Sequence, residues 1–315
     1  KIVMADFLTH DLFGMMVERE APAAVREAAE RCPEAFRWGF QGPDILFFRQ
    51  LWNGGGPFHR LGNRMHSEWT DRMFAAMTEH IRRQSGEKRE VLLAYFYGFL
   101  CHYALDSEIH PYVYALQRKG MERNPHIGGG VIHCQIETDI DIALYDRWEG
   151  RDIAEYHPYD GHHLPTGQKW IIGELYETVL LEVYGEVLPA EETAHSFADM
   201  LLVEDLLYRR GRELQKAARC AGLVRPEWSD VSSHLKTHIP AWDALNLKKR
   251  GWRSPDEPER LRRESVLEII CLAEEKVLGL MDRYARMFAG EEWGVLHYPV
   301  SFDNGNHHAK EKDSE

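Results

Sequence analysis

The stretch Lys88–His110, "KREVLLAYFYGFLCHYALDSEIH", sets the first constraint on how this chain can fold. It reads as a helix whose every face is mostly apolar, so it belongs in a core rather than on a surface. The rest of the chain must then supply a shell around it. Yet the same segment carries His102, Asp106 and His110 at intervals of four. Four residues overshoot a helical turn by ~40°, so all three side chains leave from one strip. Pro111 follows His110 directly and disfavours helical backbone there, which places His110 at a helix end. Buried ionised carboxylates require partners, and few basic residues stand near this strip in the sequence.

Helical periodicity elsewhere provides the shell. Ala21–Cys32, His66–Gly86, Val131–Trp148, Gln168–Tyr184, Ala190–Ala221 and Pro258–Met287 all read as helices, with "GGG" at 128–130 marking one start. The only strand signal is "GVLHYPVSF" near the end, where extended coil fits as well. Gly, Pro and Asn clusters such as "FQGPD", "WNGGGPFHRLGN" and "YHPYDGHHLPTG" mark loops, and Val224–Glu257 reads as a long ordered one. With no repeat and no linker, the expectation is all-α: a single-domain helical bundle over residues 1–303, with a multi-metal site between core helices. A polar tail, 304–315, is expected to fray.

Charge narrows the function classes. The 315 residues hold 38 Lys and Arg against 51 Asp and Glu, a net charge of −13. That balance disfavours nucleic acid and stable association with an anionic membrane as partners. Bound divalent cations would offset part of it. Five cysteines, odd in number and without a CxxC pair, fit free thiols in a reducing compartment. No apolar run approaches the ~18 residues of a membrane span. The opening residues show no leader pattern, and Met4 reads as a candidate start. A cytoplasmic protein is the expectation.

A second His-xxx-carboxylate pair, His133 and Glu137, lies in "HCQIE". Two helices each presenting such a pair can meet across a bundle and enclose cations. Upstream stand His10, Asp44 and His66. Taken singly, each reads as a core histidine or a turn aspartate. Together they make five histidines and three carboxylates in apolar or loop-edge settings, and metal ions are their simplest shared partners. Mixed imidazole and carboxylate donors suit Zn²⁺, and iron or manganese fits such a helical scaffold too. Paired metals can acidify a water and clamp phosphate oxygens.

The set resembles the zinc-dependent phospholipase C family, whose fold is shared by fungal zinc-dependent single-strand nucleases. "HYALD", then His110, then "HCQIE" follow that family's order, with glutamate as in the phospholipase branch. The resemblance implies one zinc site from Asp44, His66, His102 and Asp106, and a second from His110, His133 and Glu137. It implies a third from His10 and a bridging Asp106. In the family the third also takes an N-terminal tryptophan, which this chain lacks before His10, so two or three ions are expected. The proline follows His110 here rather than preceding it, which keeps His126 as the alternative donor. The resemblance further implies that Asp44 doubles as general base and that the substrate is a small phosphoester or a phospholipid-derived molecule.

Other residues carry plainer expectations. Asp139 and Asp141, two apart after Glu137, read as exposed or supporting residues. His157, His162 and His163 read as surface loop or as a lip over the site, and His59 as rim. Two other functions compete with the hydrolase: a di-iron or di-manganese oxidoreductase, and a non-catalytic metal-stabilised binding protein. The oligomeric state is open.

Overall fold

The computed structural model describes residues 7–51, 56–213, 236, 238–291 and 296–306. The expectations placed on Met4, Cys220, residues 214–221 and His307–His308 lie outside them. In chain order the helices are α1 (Phe7–Glu20), α2 (Ala23–Arg31), α3 (Pro33–Gly39), α4 (Ile45–Phe48), α5 (Phe58–Ser67) and α6 (Thr70–Arg82). Then come α7 (Gly86–Arg123), α8 (Gly129–Glu149), α9 (Thr166–Tyr184), α10 (Ala190–Arg209) and α11 (Val266–Phe288). Short 3₁₀ turns at Gly42–Asp44 and Ile153–Glu155 join them. The fold is all-α. Among the described residues there is no strand, only an isolated antiparallel bridge between Trp252 and Arg262. Residues 296–302 of the strand candidate run as coil and bends. No described helix is long and apolar enough to cross a membrane.

α7 is the axle. Its 38 residues span about 57 Å at 1.5 Å per residue, and it is buried from Val91 to Ala115 on nearly every face. Helices α1, α2, α3, α8, α9 and α11 all pack on it. Against expectation, it does not stop at His110 but runs through Pro111 to Arg123. The clash and missing donor that proline brings are absorbed by tertiary contacts described below.

Other boundaries shift for local reasons. The stretch expected as one helix from His66 divides at Trp69, whose φ of 55° is left-handed. Trp69 is held there by the Arg64 guanidinium, 5.4 Å from its ring, which also lies 5.2 Å from Tyr184. His66 therefore ends α5 rather than starting α6. α11 begins at Val266, because Ser265 and Glu268 form a reciprocal capping box that satisfies the first backbone N–H groups. Of the loop expected over Val224–Glu257, residues 238–257 bury Trp252 against Tyr112, while 224–235 and 237 lie outside the described residues.

α3 meets α7 backbone to backbone. A Cβ on Gly98 would lie 2.0 Å from the Phe36 carbonyl oxygen, and one on Gly39 2.3 Å from that of Tyr95. This approach brings the Phe40 carbonyl to 3.1 Å from His102 Nδ1, so glycine at two helix positions sets the orientation of a buried imidazole. Gly98→Ala is expected to destabilise the protein by about 3 kcal/mol, the upper range for overpacking. The urea midpoint should fall with an unchanged slope, and a loss under about 1 kcal/mol would contradict the contact.

Candidate metal centre

One strip of α7 carries His102, Asp106, His110 and, one turn further, Tyr114. His10 on α1, Asp44 in the 42–44 turn, His66 on α5, and His133 and Glu137 on α8 face it. Seven of the eight residues singled out in the sequence line one cavity of about 290 Å³, and the eighth, His102, lies fully buried beside it.

The donors fall into two groups. In the first, His66 Nε2 is 3.0 Å from Asp44 Oδ1, and His102 Nε2 is 3.3 Å from both Asp106 Oδ2 and His66 Nε2. His10 stacks on the His102 ring and sets its Nε2 3.2 Å from Asp106 Oδ1. The two oxygens of Asp106 thus face different imidazoles, the posture of a bridging carboxylate. In the second group, Glu137 Oε1 is 2.9 Å from His133 Nε2 and 3.5 Å from His110 Nε2. Donor atoms of His10, Asp44 and His102, of His66, His102 and Asp106, and of His110, His133 and Glu137 lie within 4.8 Å of one another, each a set that could hold a metal ion.

The imidazoles are aimed. His66 Nδ1 donates to the Gly62 carbonyl at 2.7 Å, His102 Nδ1 to Phe40, His110 Nδ1 to the Phe302 carbonyl at 2.6 Å and His133 Nδ1 to Gln117 Oε1 at 2.8 Å. An oxygen acceptor at Nδ1 keeps a proton there and turns Nε2 inward as the free donor, the arrangement that metal-binding histidines use. His10 Nδ1, Asp44 Oδ2 and Glu137 Oε2 are buried without a hydrogen-bond partner. Gly42 is required here. Its φ is +48° and a Cβ would lie 2.3 Å from the His102 ring, while its carbonyl accepts from Tyr176 Oη at 2.7 Å. Neighbouring Asp44 is fixed by that turn. Unpartnered carboxylate oxygens, inward Nε2 atoms and a carboxylate shared by two rings fit a centre of divalent ions with mixed nitrogen and oxygen donors.

Protonation follows from the same geometry. Burial pulls His102 down to about 4, so its ring is neutral near pH 7. Burial opposes charge on His66 too, but Asp44 beside it lifts that ring to about 9. Asp106 and Glu137 likewise overcome burial at His110 and lift it to about 10. Burial works against Glu137, yet His133 and His110 hold it down to about 2.

Several expectations are corrected. His110 lies inside α7 and on the strip rather than at a helix end, and the alternative donor His126 is exposed in a turn. Asp141 is fully buried and accepts from Thr9 N at 2.7 Å, Tyr208 Oη at 2.9 Å and Lys236 Nζ at 2.7 Å. It lies four residues after Glu137, a helical spacing that the two-residue step from Asp139 obscured. His162 is buried rather than on a surface, 3.3 Å from Asp11. His59 is half-buried on α5, donated to by Asn63. Sequence reasoning missed Asn63, Tyr114, Gln117, Asp303 and Asn306 in the cavity wall. The four-residue step from His110 could have found Tyr114; nothing local signals Asp303, 189 residues from the tyrosine that donates to it at 2.8 Å.

A family model described as zinc dependent phospholipase C matches residues 24–182. No curated protein and no solved structure matches the chain.

The protonation pattern predicts a stability profile for chelator-treated protein. His66 and His110 have raised pKa values, so their contribution is complete below the unfolded value of about 6.5 and disappears as pH rises through 9 and 10. His102 has a depressed pKa, so stability falls as pH drops from about 6.5 toward 4. Glu137 adds to the acid loss as pH falls toward 2. Thermal melts should peak near pH 6.5 and decline on both sides. A midpoint that keeps rising to pH 9 would contradict the buried pairs.

Proposed function

The chain belongs to the zinc-dependent phospholipase C family, and from that premise we propose that it is a metal-dependent phosphoester hydrolase. The observation that carries the reading is the convergence of inward imidazole Nε2 atoms and unpartnered carboxylate oxygens on one cavity large enough for a small ligand. Asp44, His66, His102 and Asp106 would hold one zinc ion, and His110, His133 and Glu137 a second. His10, with Asp106 bridging, would hold a third, so the count is two or three. Zinc bound there supplies Lewis acidity toward phosphoryl oxygens and lowers the pKa of water.

The chain's own groups do the rest. Asp44 Oδ1 lies 3.0 Å from His66 Nε2, and its Oδ2 has no hydrogen-bond partner and lies 3.8 Å from His102 Nε2, so Oδ2 would be the atom that takes a proton from the attacking water. The turn at Gly42–Asp44, held by the Tyr176 hydroxyl on the Gly42 carbonyl, would orient the carboxylate. Gln117 lines the same cavity, and its amide offers an uncharged donor to a phosphoester, while the Asn63 amide is held by His59 and the Tyr114 hydroxyl by Asp303. Phe47, stacked on His66 at 5.4 Å between ring centres, screens that imidazole from water. Among the described residues no Lys or Arg lines the cavity, which supports a small phosphoester or a phospholipid-derived molecule over nucleic acid as substrate. The thiol content of the chain supports work in the cytoplasm.

Metal analysis joined to a phosphoester screen tests the reading. Purified protein should contain zinc, hydrolyse a chromogenic phosphodiester or phosphomonoester, lose that activity to chelator and regain it with zinc. Metal-loaded protein that turns over none of these substrates refutes hydrolysis, and equimolar iron without zinc would shift the centre toward redox chemistry. His102→Ala and His133→Ala should each lose metal and thermal stability together, because metal binding is linked to folding. Unchanged metal content in both would refute the assigned donors.

A further inference from the structure

α7 contains a defect that a distant segment repairs. Pro111 has no N–H, so the carbonyl of Ser107, four residues earlier, loses its helical partner. A bend at that point would swing His110 out of line with His102 and Asp106. The helix nevertheless continues to Arg123. Asn304 donates from Nδ2 to the Ser107 carbonyl oxygen at 2.8 Å, across 197 residues of sequence. The amide fills the place of the missing backbone donor.

The turn that carries Asn304 touches both donor groups. The Phe302 carbonyl accepts from His110 Nδ1 at 2.6 Å, the Asp303 N–H donates to the His66 carbonyl at 3.3 Å, and Tyr114 Oη donates to Asp303 Oδ1 at 2.8 Å. Gly305, at φ +94°, lets this turn lie against the proline, since a Cβ there would sit 3.0 Å from Pro111 Cα. Residues 304–306, assigned to the tail on sequence grounds, thus pack on the centre; 307–315 lie outside the described residues.

We propose that Asn304 is a positioning residue of the metal centre. Its side chain substitutes for the N–H that Pro111 lacks, keeps α7 helical through His110, and so holds His110 Nε2 beside His133 and Glu137. The consequence for metal rests on the hydrolase reading above; the cause rests on the helix and its repaired carbonyl.

The test is a double-mutant cycle in the full chain. Pro111→Ala restores a backbone N–H to the Ser107 carbonyl and makes the Asn304 amide redundant. Two readouts are taken: zinc equivalents retained on dialysis, and amide hydrogen exchange over residues 108–115 in chelator-treated protein. Asn304→Ala should lose one zinc equivalent, or hold it at least tenfold more weakly, while retaining the rest. Exchange over 108–115 should accelerate at least tenfold. Pro111→Ala alone should match wild type, and the double variant should return to wild type in both readouts. Wild-type zinc and exchange in Asn304→Ala would overturn the proposal. So would a double variant as impaired as the single one, since that marks lost packing rather than a lost donor. If Asn304→Ala does not fold, rescue by Pro111→Ala upholds the proposal and failure to rescue overturns it. If wild type takes up no zinc, the hydrolase reading falls, and the exchange cycle alone decides the role of Asn304.

Discussion

Three carboxylates in the core of this protein, Asp44, Asp106 and Glu137, have no Lys or Arg beside them among the described residues. An ionised carboxylate cannot stay in apolar surroundings without positive charge close by. Two other buried aspartates show the alternative. Asp11 takes a bidentate pair of bonds from Arg37 and one from Tyr156, and Asp141 takes Lys236, Thr9 and Tyr208. Those two are neutralised by the chain itself. The three in the cavity meet imidazoles instead, whose charge is exchangeable. Protons on His66 and His110 or divalent ions can fill the same role, and only the second choice leaves every Nε2 lone pair used. That contrast separates the carboxylates the chain neutralises with its own Lys and Arg from those it leaves to exchangeable charge.

The two kinds of carboxylate are mechanically joined. Thr9, His10 and Asp11 are consecutive on α1 and are all buried, yet each reaches a different neighbour. Thr9 binds Asp141 on α8, His10 faces Asp106 on α7, and Asp11 takes Arg37 from α3. Three successive residues cover most of a helical circumference, so α1 is pinned from three sides and cannot rotate without breaking a buried charge pair. His10, lacking any bond at Nδ1, depends on these neighbours for its aim, unlike the other four imidazoles, each steered by its own Nδ1 bond. Asp141 lies one turn beyond Glu137 on α8, so the Lys236 pair also fixes the helix that carries the second donor group.

Much of this was legible in the sequence because it is written at helical spacing. The strip His102, Asp106 and His110, and the pair His133 and Glu137, need only the 3.6-residue period to be recognised. The all-α architecture follows from the same period. What stayed hidden depends on contacts remote in sequence. Pro111 spoke for a helix end, and the Asn304 amide, 197 residues away, stands in for its missing donor. The break at Trp69 requires Arg64 and Tyr184 to hold a left-handed tryptophan. α1 has no helix reading in the sequence, and the first half of α5 (residues 58–63) reads as loop within "WNGGGPFHRLGN" but is helical, since the Gly, Pro and Asn of that stretch weaken the local pattern. Asp303 joins the cavity from far down the chain, and no window of neighbouring residues contains that information.

The spacing between the two donor groups is set by one rigid element. His102 and His110 are eight residues apart on the same helix, a rise of about 12 Å, with Asp106 midway. Sites built on regular elements hold their geometry more closely than sites on loops. Everything else then has to be brought to α7: Asp44 by a glycine-dependent turn, His66 by the last turn of a short helix, His133 and Glu137 by a second long helix. The close approach at Gly39 and Gly98 belongs to the same logic, because it steers the Phe40 carbonyl onto His102. A buried helix with apolar residues on nearly every face is therefore more than a core element here. Its burial gives the rigidity, and its single polar strip converts that rigidity into a fixed distance between two charged clusters.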